Sequence, residues 1–294
     1  MDNQRSSPLT GRPCLDNIAL CCIDTEQPLA AARALRLSAA QCCFAATILL
    51  TDRDLSVSGI EVRRIATLGS GAAYSRFVLK DLLAHVATPF VQIVQWDGYV
   101  LDGSLWDDRF RAFDYIGAPW YWHPPGQQVG NGGFSLRSRR LLEALASDDF
   151  PPGHPEDDLI CRVWRPDLER RGLSFADSRT AARFSFERDL SPAPRFGFHG
   201  LFNFWRTVPP GDLSALLETV SDRALGSPEA LQLVCEYLVR DRPCEAFAVL
   251  ERFEHVHGPD STLASLIEAA AVRGEYAWGR LVAHLGARYP ALTD

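Results

Sequence analysis

The first two hundred residues alternate between two kinds of apolar pattern. "NIALCCID", residues 17–24, is an unbroken apolar run closed by a carboxylate, as a strand buried on both faces would be. "PLAAARALRLSAAQ", residues 28–41, has helical spacing and strong helix formers, with Pro28 suited to a first turn. "AATILLTD", residues 45–52, predicts a second buried strand, again closed by an aspartate, and "EVRRIATL", residues 61–68, a third. "AAYSRFVLKDLLAHV", residues 72–86, puts Phe77, Leu79, Leu82, Leu83 and Val86 on one helical face. "PFVQIVQWDGYVLD", residues 89–102, predicts a strand with a polar end. Strand and helix in alternation predict an α/β fold with a mainly parallel sheet. Ligands of such sheets bind beyond the carboxyl ends of the strands, where Asp24, Asp52 and Asp97 are expected to face one crevice.

The pattern changes after about residue 208. "TVPPGD" is a breaker, and the rest reads as helices. "EALQLVCEYLVRD" overlays "TLASLIEAAAVRG", matching Leu233 with Leu266, Val234 with Ile267, Val239 with Val272 and Arg240 with Arg273. Each is followed by a second helix, so residues 208–294 are expected to form a helical appendix. It resembles tetratricopeptide-type hairpins, and a plain helical cap on the α/β core fits equally. The polar opening predicts a disordered lead-in over residues 1–15, leaving 16–207 for the α/β domain.

Composition narrows the field. A net charge of −7 over 294 residues argues against a broad nucleic-acid surface, although a small basic pocket for a phosphate is compatible with it. None of the eight cysteines forms a C-x-x-C pair, and Cys21–Cys22 and Cys42–Cys43 lie in apolar runs. That usage suits packed thiols in a reducing compartment. With no secretory pattern and no long apolar window, a cytoplasmic protein without a transmembrane segment is expected.

Four clusters are candidates for chemistry. In "QWDG", Asp97 at a strand end next to a glycine suits a divalent cation or a ribose hydroxyl, or simply caps a turn. "VGNGGFSLRS", residues 129–138, brings Gly132 and Gly133 to the mouth of an alternating strand. The pair permits positive φ and close approach of a ligand to the main chain, or makes a tight turn. Just upstream, Trp120, Tyr121 and Trp122 offer flat faces for sugar rings or for the core. "HPEDDLIC", residues 154–161, places Glu156, Asp157 and Asp158 at a helix start. There they complement the helix dipole, or one acts as general base with a pKa expected to stay low. In "FGFHG", His199 becomes a ligand candidate only if it meets Asp97. "GSGAAYS" is neither a P-loop nor GxGxxG, and no GxSxG elbow is present.

Taken in order, Gln-x-Asp-Gly, "FDYIGAPW", "VGNGGFSLRS", "EDD", "FSFE" and "GFHG" resemble glycosyltransferases of the GT-A fold. The likeness is to a largely uncharacterised, bacterial-type family of glycosyltransferase-like proteins, and it covers roughly residues 16–207. Each piece is weak alone; the linked set is specific. The resemblance implies a GT-A-like (Rossmann-like) sheet flanked by helices and transfer of a sugar from a nucleotide-sugar donor, with inversion. It implies Asp157 as the base that deprotonates the acceptor, Asp158 second, and Asp97 with His199 holding Mn²⁺ or Mg²⁺. Asp24, Gln95, Asn131, Gly132 and Gly133 would bind the donor, the bare glycines making room for a sugar. Gln95 departs from the Asp-x-Asp pattern: a neutral amide adds no charge to a cation, so a cationic side chain such as Arg137 is the alternative. The acceptor (a glycan, a lipid-linked sugar or a protein) and any partner or self-association through the helical tail are left open. The competing expectation is a non-catalytic sugar- or nucleotide-binding scaffold that works through its helical region.

Overall fold

The computed structural model describes residues 11–292. It divides into two compact units, one ending at His199 and the other starting at Gly200, where the sequence pattern had suggested a change near residue 208. Most of the expected lead-in lies outside the described residues, and the first strand already begins at Cys14.

The first unit is built on a six-stranded sheet. Its strands are β1 (Cys14–Ile23), β2 (Cys43–Thr51), β3 (Glu61–Arg64), β4 (Phe90–Val94), β5 (Tyr115–Ile116) and, after the small hairpin strands β6 (Ala118–Pro119) and β7 (Val129–Gly130), β8 (Phe134–Ser138). Their order is β3-β2-β1-β4-β8-β5. The first four run parallel, while β8 is antiparallel to both β4 and β5. A short parallel pair, β9 (Ser185–Phe186) and β10 (Gly197–Phe198), stands apart from this sheet.

Alternate side chains of β1 enter different cores. Leu20 and Cys22 pack with Ala31 and Leu35 of α1 (Pro28–Gln41). Cys21 and Ile23 pack with Phe77 and Val78 of α2 (Gly71–Lys80). Helices therefore cover both faces, which is why β1 reads as a continuous apolar run. The helix expected over residues 72–86 is two pieces: α2 stops at Lys80, and a tighter turn follows over Leu82–His85.

The alternating strand expected at "FSLRS" forms as β8, and alternation is the pattern of a half-buried strand. Instead all five residues of β8 are buried, Arg137 and Ser135 included. Arg137 lies over the Tyr115 ring and reaches Glu156, so the polar face of β8 is covered from within the protein. α3 (Arg139–Ala146), the short α4 (Glu156–Asp158), α5 (Arg165–Arg170) and α6 (Ser178–Phe184) complete this unit.

The described part of the second unit contains helices only. α7 (Phe204–Thr207), α8 (Pro210–Leu217) and α9 (Asp222–Leu225) precede four longer ones, α10 (Pro228–Val239), α11 (Pro243–His257), α12 (Pro259–Arg273) and α13 (Glu275–Leu285). Leu233 of α10 and its sequence counterpart Leu266 of α12 are both fully buried. Val234 is buried while its counterpart Ile267 is exposed, so the two segments share a core position without sharing a full environment. Among the described residues, no helix is long and apolar enough to cross a membrane.

Candidate active site

β1 and β4 are neighbours that connect onward to opposite sides of the sheet, and ligands of such sheets bind beyond the carboxyl ends of strands so placed. Asp24 follows β1. Its Oδ1 accepts the backbone N–H groups of Glu26 at 2.8 Å and Gln27 at 2.7 Å, fixing the turn that starts α1. Burial pushes its carboxyl up to about 6, the charges of Glu26 and Asp97 add to that, and the two N–H groups pull the other way. Asp97 lies in the turn after β4, closed by Gly98 N–H donating to the Gln95 carbonyl at 3.1 Å, and is 8% exposed. The carboxylates after the two central strands thus share one electrostatic environment. Asp52, after β2, is engaged by the Thr67 hydroxyl at 2.6 Å and by Arg53.

His199 follows β10 and joins this group. Its Nε2 is 3.0 Å from Gln95 Oε1 and 3.4 Å from Asp97 Oδ1, and its Nδ1 is 3.6 Å from Glu187 Oε1. Burial alone would lower the imidazole pKa, but Asp97 and then Glu187 outweigh it and raise it to about 10. In the protonated ring Nε2 donates to the Gln95 amide oxygen, and the charge of Glu187 lies on the Nδ1 side. Gln95 therefore has a definite place: its amide oxygen helps to hold the histidine.

The Asp97 carboxylate and the His199 imidazole expected to hold a metal do come together, with Oδ1 3.4 Å from Nε2, and Nε2 would serve a cation in the deprotonated ring. Among the described residues, no three His, Cys, Asp or Glu side chains converge on a point that would hold a metal ion.

The Asn131–Gly132–Gly133 turn fastens this group to the acidic segment. Asn131 takes the left-handed conformation, φ 72°, and its Oδ1 accepts Gly133 N–H at 2.9 Å and Phe134 N–H at 3.2 Å. The positive φ that the sequence suggested for the glycines thus belongs to Asn131. Both glycines permit close approach, but protein atoms fill the space. A Cβ on Gly133 would lie 2.1 Å from His199 Nε2, and one on Gly132 would lie 2.4 Å from Glu156 Oε1. The room expected for a sugar is taken by the histidine and the glutamate.

Gly132 N–H donates to Asp157 Oδ2 at 2.9 Å. Burial is the largest influence on Asp157 and raises it to about 6. Glu156 adds to the rise, and Gly132 N–H and Arg137 oppose it. The low pKa expected from a helix N-terminus is not what results: α4 is only one short turn, and burial beside Glu156 dominates. Asp158 turns elsewhere, to Arg162 at 2.6 Å.

Arg137 is the residue whose setting the sequence did not foretell. It is fully buried on β8, over the Tyr115 ring, and its guanidinium reaches Glu156 Oε1 at 3.3 Å and the Ser135 hydroxyl at 3.0 Å. The Ser75 hydroxyl donates to Glu156 Oε2 at 3.1 Å. Arg137 is thus the internal counter-charge of the acidic segment rather than a spare cation for a ligand. Glu187 was also missed. "FSFE" was legible as a motif piece, but nothing local marks its carboxylate as a neighbour of His199.

A family model described as "Protein of unknown function (DUF5672)" matches residues 59–199, just under half of the chain; Asp24 and Asp52 lie outside it, and Gln95, Asp97, Asn131, Gly132, Gly133, Asp157 and His199 inside. No curated protein sequence matches the chain. Among solved structures, the chain is similar to a glycosyltransferase involved in glycosylation of the major capsid of PBCV-1. Identity is 13%, coverage is 62% of this chain and 91% of that one, and the TM-score is 0.40. It is also similar to a mannosyltransferase of Pyrobaculum calidifontis in complex with GDP-Man and Mn²⁺, at 13% identity, 94% and 82% coverage and a TM-score of 0.37. Likeness at this level leaves the chemistry to be read from the site.

Proposed function

We propose that the α/β unit is a glycosyltransferase that takes a sugar from a nucleotide-sugar donor and transfers it with inversion. One observation carries this reading: a single turn, Asn131–Gly133, holds a carboxylate suited to general base on one glycine and the histidine of the strand-end cluster on the next. The sequence resemblance to GT-A enzymes supports it independently.

In this reading the donor's nucleoside lies beyond β1, with Asp24 near the base or ribose. The diphosphate lies toward Asp97 and His199. His199 presents positive charge where negative charge develops on the leaving diphosphate. Asp97, Gln95 and Glu187 fix the ring's orientation. Asp157 takes the proton of the acceptor hydroxyl as its oxygen bonds to the anomeric carbon and the bond to the diphosphate breaks. A carboxylate with a pKa of about 6 is ionised at neutral pH yet more basic than an ordinary aspartate. Glu156 remains internal, bound by Arg137 and Ser75. Asp97 and deprotonated His199 would hold a divalent cation where one binds, and it would supply further positive charge at the diphosphate.

The test is a thermal-shift screen of the full chain against UDP, GDP, TDP, CMP and common UDP- and GDP-sugars, with and without Mn²⁺. One nucleotide class is expected to raise the melting temperature by mass action. No shift from any of them, in protein shown to be folded, would remove the transferase reading and favour the scaffold.

A further inference from the structure

The hairpin between β6 and β7 carries a surface that the donor cluster and the base do not use. Trp120 is buried, and its indole N–H donates to Glu187 Oε2 at 3.2 Å, which ties the hairpin to the histidine cluster. The next two residues point outward. Tyr121 is 52% exposed and Trp122 is 55% exposed, far more than large aromatic residues in a packed hairpin. The tip is nevertheless built. Trp120 N–H donates to the Gln128 carbonyl at 2.9 Å, and His123 N–H to the Trp120 carbonyl at 3.0 Å. The rings of Trp120, Trp122 and His123 lie 5.5–6.1 Å apart, so Trp122 is supported from behind while its outer side is open.

The polar surroundings indicate what such a face would take. His123 feels the charges of Arg162 and Asp158, which are themselves paired at 2.6 Å. Burial and then Arg162 lower the His123 pKa, so the ring is neutral at neutral pH and offers one donor and one acceptor. A flat aromatic face edged by neutral and internally paired polar groups matches a polyhydroxylated ring without charge. A polyanion would find no unpaired cation in Arg162, and a purely apolar partner would leave the polar edge unsatisfied. Asp158 is the neighbour of Asp157, so the ledge adjoins the proposed base.

We infer that Trp122 and Tyr121 form the acceptor platform and that the acceptor is a neutral carbohydrate, stacked on Trp122 with hydroxyls toward His123 and the Asp158–Arg162 pair. This inference names the acceptor class for the reaction proposed above and rests on that reading for its role in transfer.

The test titrates maltotriose, mannotriose, galactotriose and, as the anionic counterpart, trigalacturonic acid into the full chain, read by tryptophan fluorescence. At least one neutral trisaccharide is expected to bind. Its affinity should fall about tenfold in Trp122→Ala, or about 1.4 kcal/mol, and be largely kept in Trp122→Phe. Thermal shifts with UDP and GDP should be the same in the variants as in the wild type. Equal trisaccharide affinity in Trp122→Ala, preference for trigalacturonic acid, or no response to any saccharide would overturn the platform. Loss of the nucleotide shift in the wild type would instead overturn the transferase reading. The saccharide titration would still decide whether the ledge binds carbohydrate.

Discussion

Asp24 and Asp157 are both largely buried carboxylates raised to about 6, yet they are held in opposite ways. Asp24 is fixed by its own chain: the two N–H groups it accepts lie two and three residues ahead, at the start of α1. Asp157 depends on Gly132, which is remote in sequence, and on the Arg137–Glu156 pair behind it. The difference teaches how the same titration behaviour can be local at one carboxylate and tertiary at another. A locally held acid keeps its geometry while its strand end survives. A tertiary one loses its setting when any member of the network changes.

The largest effect is expected at the base itself. Asp157→Asn keeps an acceptor for Gly132 N–H and removes the proton acceptor, so kcat for sugar transfer should fall on the order of 10³-fold, with nucleotide thermal shifts unchanged. Transfer at even a quarter of the wild-type rate would end the assignment. If Asp158 were the base, its substitution and not this one would abolish turnover.

Next comes the pair behind the base. Glu156→Gln leaves the Arg137 guanidinium buried without its counter-charge, which should cost about 3 kcal/mol of unfolding free energy. Replacing both, as Arg137→Met with Glu156→Leu, should recover much of that loss, because the penalty lies in the orphaned charge. Denaturant unfolding of the three proteins checks it. A double variant no more stable than Glu156→Gln would show that Arg137 matters through its other contacts, to Ser135 and the Tyr115 ring.

These cases show where sequence reading succeeds and where it stops. α1 was legible over its full length because helix formers, apolar spacing and Pro28 all agree locally. β1, β4 and the end of β2 were legible because burial on both faces leaves a continuous apolar run, and Asp24 and Asp97 were legible as strand-end acids. β8 misleads for a physical reason. Alternation reports a polar face, and it cannot report that the face is covered by the protein's own Glu156 and Tyr115. The glycine pair was recognisable as a close-approach site, but what approaches comes from residues 156 and 199, and no local pattern encodes that pairing.

Gly133→Ala tests that pairing directly. Its Cβ would meet the His199 ring, an overpacking expected to cost about 2 kcal/mol. In a His199→Ala background the ring is gone, so the same substitution should cost less than half as much, a coupling that a double-mutant cycle reads. An unchanged penalty would mean that the backbone of the turn, rather than the histidine, resists the methyl.

The smallest effect returns to the two aspartates through pH. Each has a folded pKa of about 6, above the ordinary aspartate value near 3.9. The folded protein therefore binds more protons than the unfolded chain between about pH 4 and pH 6. Whatever stability these two groups add is fully present below the ordinary aspartate range and is lost as pH rises through 6. His199 enters this comparison only near pH 6.5, where its raised pKa adds the same decline to all three proteins and cancels in their differences. Asp24→Asn should remove its share of the decline and leave the Asp157 share, since Asp24's setting is local. Glu156→Gln should reduce the Asp157 share as well, because Glu156's charge is part of what raises Asp157. Unfolding free energies at pH 4.5 and 6.5 for the wild type and both variants separate the two contributions. If Asp24→Asn flattened the whole slope, Asp157 would not be raised in the folded protein, and its tuning as a base would lose its footing.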